Sequence, residues 1–343
     1  MSIGVGISDY TRALSGSTTV KDLPVLMELI YAYFTGFDLK ETEYAANRDA
    51  MAGILANQET NPQFIFQRDL MDALYAAPAK QMITSADIKA ADRPTIVDIV
   101  RGALANAADY TFVFAGNIDL ATFVPLMEQY IATLPADAKK ATKTYKNVPA
   151  SEIRLGSATN NYITKMETPQ TWAAIVVSAK MPFTPENKLI SSVAAQIMSK
   201  RLLNKIREEM GATYSIGAQG DMDRTDEVNT AFIIAFPMNP EFKTAALDEI
   251  HKIIDDMSTT VTADELKPVI EYMAKTTEEA QKENSEWAGH IVATELNGVD
   301  VFNNRAELLS KITTADVQNF MKQVIAQKNY RVILLDPEAA PAE

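Results

Sequence analysis

The 343-residue sequence contains no cysteine. Disulfides, thiolate metal sites and cysteine nucleophiles are thereby excluded. Histidine is almost as scarce, with only His251 and His290. The motifs H-E-x-x-H and H-x-x-E-H need two histidines one helical turn apart, and this chain cannot write either. Positive charge is in deficit. There are 32 Lys and Arg against 45 Asp and Glu, a net charge of −13. Such a chain repels phosphate backbones, which argues against a nucleic-acid partner. No apolar run approaches the ~20 residues of a membrane span. The opening MSIGVGISDY lacks the basic and apolar regions of a secretory signal.

What is present fits a globular protein. Hydrophobic residues make up 47% and charged residues 22%, which leaves no room for a long disordered tail. At ~100–200 residues per domain, the length predicts two or three domains. His251 lies in EIHKIIDDM with Asp255 one turn on, a weak metal pair on paper. The bland alternative is an exposed histidine on an amphipathic helix. His290 lies in the apolar stretch SEWAGHIVATEL, which reads as a packed or capping histidine.

Periodicity predicts the elements. SIGVGIS reads as a strand and LSGSTTVKDLPVLMELIYAYF as a turn and a helix, with apolar residues at helical spacing from Val25 to Tyr33. Helices are expected over LKETEYAANRDAMAGILANQ and from Asn61-Pro62. Another begins at Thr84 or Ser85 and is interrupted at Asp92-Arg93-Pro94. YTFVFAG (110–116) has the aromatic and β-branched character of a buried strand, and Asp119 caps the helix after it. Residues 135–150 carry two prolines, four lysines and little apolar periodicity, a linker composition. Beyond them, NYITKM and TWAAIVVSA read as strands. Thr184-Pro185-Glu186 starts a helix, and an apolar stripe runs through Ile190, Ala194, Met198, Leu202, Ile206 and Met210 to a C′ glycine, Gly211. ATYSIGAQG and EVNTAFIIAF read as strands around the polar turn DMDRTD. Four helices and a last strand, YRVILL (330–335), complete the chain.

Three segments recur in the same order. SIGVGISDYTR answers SIGAQGDMDR, ITSADI (83–88) answers ITTADV (312–317), and YTFVFAGNID answers YRVILLDPE. The second copy is preceded by two strands and a long helix that the first lacks. A sheet without them has an unpaired edge and an uncovered face. The expectation is therefore a C-terminal piece of a longer polypeptide, cut inside a domain. Residues 1–134 form an N-terminally truncated domain, 135–155 a linker, and 156–343 a complete domain.

KIREEMGATYSIGAQG, Lys205 to Gly220, resembles the last-domain signature of the pitrilysin/insulinase family of zinc metallopeptidases. There a helix ends in Arg, acids and Gly, and a Tyr follows seven residues after the Arg, as Tyr214 follows Arg207 here. SGSTTVKDLPVLMELIYAYFTG, NRDAMAGILANQETNPQFIFQRDLMDALY and FAGNIDLATFVPLMEQYIATLP resemble the later part of a preceding family domain. The resemblance implies an α+β fold: two related two-layer sandwich domains, each a mostly antiparallel sheet with helices on one face. It implies that zinc sits on an N-terminal catalytic half outside this chain, which itself carries no H-x-x-E-H. Where an active domain places a glutamate ligand, this chain has Gly53 after Met51 and Ala52. The first domain thus resembles the non-catalytic type, no metal ligand is expected in this chain, and the chain alone should be inactive.

The resemblance further implies a peptide substrate enclosed between two halves, with Arg207 and Tyr214 binding its backbone and assisting the transition state. Arg207 at a helix C-terminus is favoured by the helix dipole and offers five donors. The bland alternative pairs Arg207 with a nearby acid and packs Tyr214 in the core. A second reading of the whole is a non-catalytic partner subunit or scaffold of such a peptidase. Bacterial relatives are often exported; the compartment of this chain stays open.

Overall fold

The structure is a computed structural model that describes residues 1–8, 11–76, 81–141, 153–224, 228–300 and 302–338. In chain order the first elements are β1 (Ser2–Ile7), β2 (Arg12–Ser17), α1 (Leu23–Gly36), α2 (Glu41–Gln58), α3 (Pro62–Leu74), α4 (Ser85–Ala90), α5 (Arg93–Ala103) and α6 (Leu120–Leu126). Then come β3 (Ala158–Thr164), β4 (Thr171–Ala179), α7 (Pro185–Leu202), β5 (Ala218–Met222), β6 (Thr230–Met238), α8 (Lys243–Asp256) and α9 (Ala263–Ala280). The last are α10 (Asn284–Asn297), α11 (Arg305–Lys311), α12 (Thr314–Ala326) and β7 (Asn329–Pro337). The chain divides into two compact units: residues 1–59, 83–149 and 284–295, and residues 60–82, 150–283 and 296–343. Of the expected linker, residues 142–152 lie outside the described residues, as do 225–227 in the polar turn between β5 and β6.

The second unit is built on one sheet in the order β3-β7-β4-β6-β5. Only the β3–β7 pair is parallel; the other three pairs are antiparallel. β4 is central, and Ala173 to Val177 are all nearly inaccessible, which is why TWAAIVVSA reads as an unbroken apolar run rather than an alternation. One face packs on α7, α8, α9, α11 and α12 through a single cluster that includes Ile197, Met198, Leu202, Phe232, Ile250 and Val317. The fold is thus α+β, a mostly antiparallel sheet with helices on one face. The opposite face is partly covered as well: α3 sets Phe66, Ala73 and Leu74 against Val176, Ile333 and Leu335. In sequence α3 falls within the stretch expected to belong to the first domain.

α7 follows the sequence reading closely. Thr184 accepts the Asn187 N–H at 3.1 Å and Pro185 occupies the first turn, while Ile190, Ala194, Met198, Leu202 and Ile206 of the stripe are all buried. Glycine allows the helix to lie close to β5. A Cβ on Gly220 would meet Phe232 Cε1 at 2.9 Å and both Ala195 Cβ and the Ser191 carbonyl oxygen at 3.0 Å.

The first unit has a two-stranded antiparallel hairpin, β1–β2, and a smaller cluster built from Leu26, Met27, Ile30, Phe34, Val100 and Leu104. β2 corrects the expectation of a turn over LSGS. Its composition has little strand preference, and pairing with β1 imposes the extended form. YTFVFAG corrects the expected strand, because residues 110–114 join no ladder. Its repeat partner β7 lies hydrogen-bonded between β3 and β4, and among the described residues the first unit contains no counterparts of those two strands. The aromatic side chains pack nonetheless, with Phe34 edge-on to Tyr110 at 5.1 Å. The two I-T-[ST]-A-D segments form the same capping box, Thr84 with Asp87 and Thr313 with Asp316.

Candidate functional site

The last turns of the α7 rod are π-helical, over Leu203–Glu209. The wider winding adds a residue to the turn, a feature that recurs at functional sites. Ile206 stays in the core while Arg207, Glu208 and Glu209 face solvent. Gly211, at φ 64°, ends the helix in the left-handed conformation that glycine adopts without a Cβ penalty. The Gly211 N–H donates to the Arg207 carbonyl at 3.0 Å and the Ala212 N–H to the Ile206 carbonyl at 3.0 Å. Each bond spans one residue more than in the ordinary glycine-terminated motif, as the π winding requires.

The chain then leaves the helix on a pinned path. Ala212 is buried. The Thr213 hydroxyl donates to the Pro237 carbonyl at 2.6 Å. The strand expected over ATYSIGAQG begins only at Ala218, so Tyr214 sits in a bend before β5 rather than at a strand start. The reason lies in the partner strand. The Pro237 carbonyl points toward this loop, and the N–H that would point the same way is missing from proline. In the β5–β6 register Pro237 falls opposite Ser215, so pairing that far gains no bond from the proline nitrogen, and Thr213 takes the carbonyl instead.

The consequence for Tyr214 is direct: it is 95% exposed. The reading that packs this tyrosine in the core is overturned. Among the described residues its hydroxyl has no hydrogen-bond partner. Arg207 stands on the preceding helix end, its side chain 47% exposed, with Nε 3.6 Å from a Glu208 oxygen. That loose contact leaves most of the guanidinium fork open, and Lys205 engages the other nearby acid, Glu209, at 2.7 Å. This pairing raises the Lys205 pKa. The two side chains therefore leave one helix-to-strand junction toward solvent without bonding each other.

The histidines sit elsewhere. His251 Nε2 is 3.3 Å from Asp255 Oδ2, and its ring meets Tyr330 edge-on at 4.7 Å. Burial, then the Asp255 charge, pushes the Tyr330 phenol up. His290 Nε2 is 3.7 Å from Glu286 Oε2. A carboxylate thus lies beside each histidine, and among the described residues no three metal-ligating side chains cluster. The donor set present does not fit a zinc site. Gly53, on α2, has open space beyond its Cα. Among the described residues no helix is long and apolar enough to cross a membrane.

The helix end, the glycine and the exposed tyrosine fall within residues 104–273, which match the family described as peptidase M16 inactive domain. The chain belongs to the M16, or pitrilysin/insulinase, peptidase family. It is 20% identical to the probable zinc protease PqqL of Escherichia coli over 347 residues, 96% of this chain and 35% of that protein. The fold matches the crystal structure of that periplasmic protease with a TM-score of 0.83 at 17% identity, covering 98% of this chain and 37% of PqqL. It also matches a peptidase M16 inactive domain from Pseudomonas fluorescens with a TM-score of 0.76 at 16% identity, covering all of this chain and 82% of that one. The chain thus spans about a third of the length of PqqL.

Proposed function

We propose that this chain is the C-terminal, non-metal-binding part of a zinc-dependent M16 endopeptidase. It walls in a peptide and supplies Arg207 and Tyr214 to bind and activate it, while the metal is carried by an N-terminal half or a partner subunit. The exposure of Tyr214 beside a helix-terminal arginine carries this reading. A tyrosine with 95% of its surface in water contributes nothing to the core, and the loop that presents it is fixed at Ala212 and Thr213. Arg207 offers a fork of five N–H donors. A peptide carbonyl gathers negative charge as its bond is attacked, and fixed donors aimed at that oxygen lower the barrier. Arg207 and the Tyr214 hydroxyl are suited to this work. They hold the substrate main chain and need no particular side chain, which fits an endopeptidase that encloses its substrate.

The test is peptide hydrolysis by the complete protein carrying Arg207→Ala or Tyr214→Phe. Each substitution should lower kcat/KM by about tenfold to a thousandfold. Wild-type rates in both would overturn the reading. The isolated chain, given zinc, should show no EDTA-sensitive hydrolysis.

A further inference from the structure

Arg154 and Arg331 are 177 residues apart in sequence and adjacent in the second unit. The Arg331 Nε donates to the Arg154 carbonyl at 2.8 Å, and its Nη2 to the Leu155 carbonyl at 2.9 Å. Arg154 is held in turn. Its main-chain N–H donates to the Leu74 carbonyl at 2.8 Å and its Nε to the Tyr75 carbonyl at 3.1 Å. Both guanidiniums are therefore oriented by main-chain carbonyls, which are dipoles rather than counter-charges. Among the described residues no carboxylate lies within ion-pairing distance of either arginine. Asp69 and Asp72 act on the Tyr162 phenol on the same side of the sheet, together with Arg154 and Arg68. Asp69 is already engaged by Arg68 at 2.9 Å.

The arrangement is unusual for a chain of net charge −13, in which most cations can find an acid. Here the Arg331 guanidinium is fixed on the main chain of a second arginine, Arg154, whose own guanidinium is held by the Tyr75 carbonyl. Burial, and then the neighbouring Arg154 charge, press the Arg331 pKa down. Repulsion of this kind is relieved by an anion that both forks can reach. Arg154 is exposed and Arg331 half-buried, so a ligand has access. Among the described residues Nη1 of Arg331 and both Nη atoms of Arg154 have no hydrogen-bond partner, and a guanidinium edge matches a two-oxygen anion.

The geometry points to an oxyanion site formed by Arg154 and Arg331, whose ligand is a peptide carboxylate, at a C-terminus or on an acidic side chain. The choice of a carboxylate over a phosphate rests on the peptide-handling reading above; the site itself does not. It is separate from Arg207 and Tyr214 in sequence and contacts, and would add a preference for where an acidic group lies along the peptide.

The intact chain is titrated calorimetrically in low-salt buffer with acetylated tetra-alanine bearing a free C-terminal carboxylate, with its C-terminal amide, and with inorganic phosphate. The free acid should bind saturably, phosphate should compete with it, and the amide should bind at least about tenfold more weakly. Arg154→Gln and Arg331→Gln should each weaken the free acid by about tenfold or more. Without ligand each Gln variant should lower Tm only slightly, since the loss of one of two repelling charges offsets part of the lost main-chain hydrogen bonding. Arg154→Lys and Arg331→Lys keep the charge but lose the fork, and should weaken binding less than Gln; they serve if a Gln variant fails to fold. The proposal fails if the free acid does not bind, if acid and amide bind equally, if phosphate alone binds, or if binding survives both Gln or both Lys substitutions unchanged. It fails equally if the Gln variants lower Tm and ligand changes nothing, for then the arginines are only a structural clamp. No outcome depends on hydrolysis, so failure here leaves the Arg207 and Tyr214 reading to its own test.

Discussion

Arg201 shows how a single side chain ties this fold together. Its Nε and Nη2 donate to the two Glu265 oxygens at 2.7 and 2.8 Å, and Nη1 and Nη2 reach the Thr260 hydroxyl and carbonyl at 3.0 Å. The pair is about three-quarters shielded and joins α7 to the start of α9, where Glu265 also closes a capping box with Thr262. Hydrogen bonds from Arg201 hold the Glu265 carboxyl below its ordinary range. A depressed carboxyl stabilises the fold above its unfolded pKa and loses that stabilisation as pH falls through the folded value. Glu265→Gln should therefore cost about 2 kcal/mol near neutral pH. The gap to wild type should close as pH drops below about 4. Urea denaturation of both proteins across that range checks it; a gap constant down to pH 3 would rule the ionised pair out. At this scale the sequence was informative where partners are local. Arg207, Gly211 and Tyr214 lie within one helix end, and their spacing could be read directly. Arg154 and Arg331 meet only because β7 returns beside the chain before β3, and no spacing rule reports a contact 177 residues apart.

Among the elements, α7 against β5 is the contact that sets the site's frame. The helix holds Arg207 at its end and the strand receives the loop that presents Tyr214, so their spacing fixes both. Gly220 controls that spacing. A methyl there would press on Phe232, Ala195 and the Ser191 carbonyl, of which the last is main chain and gives least. Gly220→Ala should cost about 1–3 kcal/mol and lower Tm by several degrees. Calorimetry should also show Gly53→Ala, whose new methyl meets nothing within 4 Å, to be neutral or stabilising, as expected in a helix. α7 was legible in its extent because its cap, proline, apolar period and terminal glycine all agree, but the π winding of its last turns was not. β2 was not, because RALSGS takes its form from its partner. Residues 110–114 misled in the opposite sense: aromatic and β-branched side chains prefer a strand, but a strand needs a neighbour's ladder to join.

For the molecule as a whole, the two units differ in how much they bury. No residue of β1 or β2 is buried, whereas eight of the nine in β4 are. A two-stranded hairpin is marginal by itself. Hydrogen exchange on the isolated chain should therefore run much faster in β1 and β2 than in β4 and β7; equal protection would show that the hairpin is better supported than its contacts indicate. The repeat is legible in sequence because it is local: the capping boxes at Thr84 and Thr313 and the strand pairs β1–β2 and β5–β6 occur in both copies. It could not disclose that α3 packs on the second unit's sheet, since that contact lies outside any repeated motif. The central claim is that Arg207 and Tyr214 act together on one substrate group within a larger M16 peptidase. Its most direct test is a double-mutant cycle on kcat/KM in the complete protein, with Arg207→Ala, Tyr214→Phe and both. Each single variant should lose activity, and the combined loss should be clearly smaller than the product of the two, because the two donors serve the same oxygen. Single variants at wild-type rates, or losses that simply multiply, would contradict it.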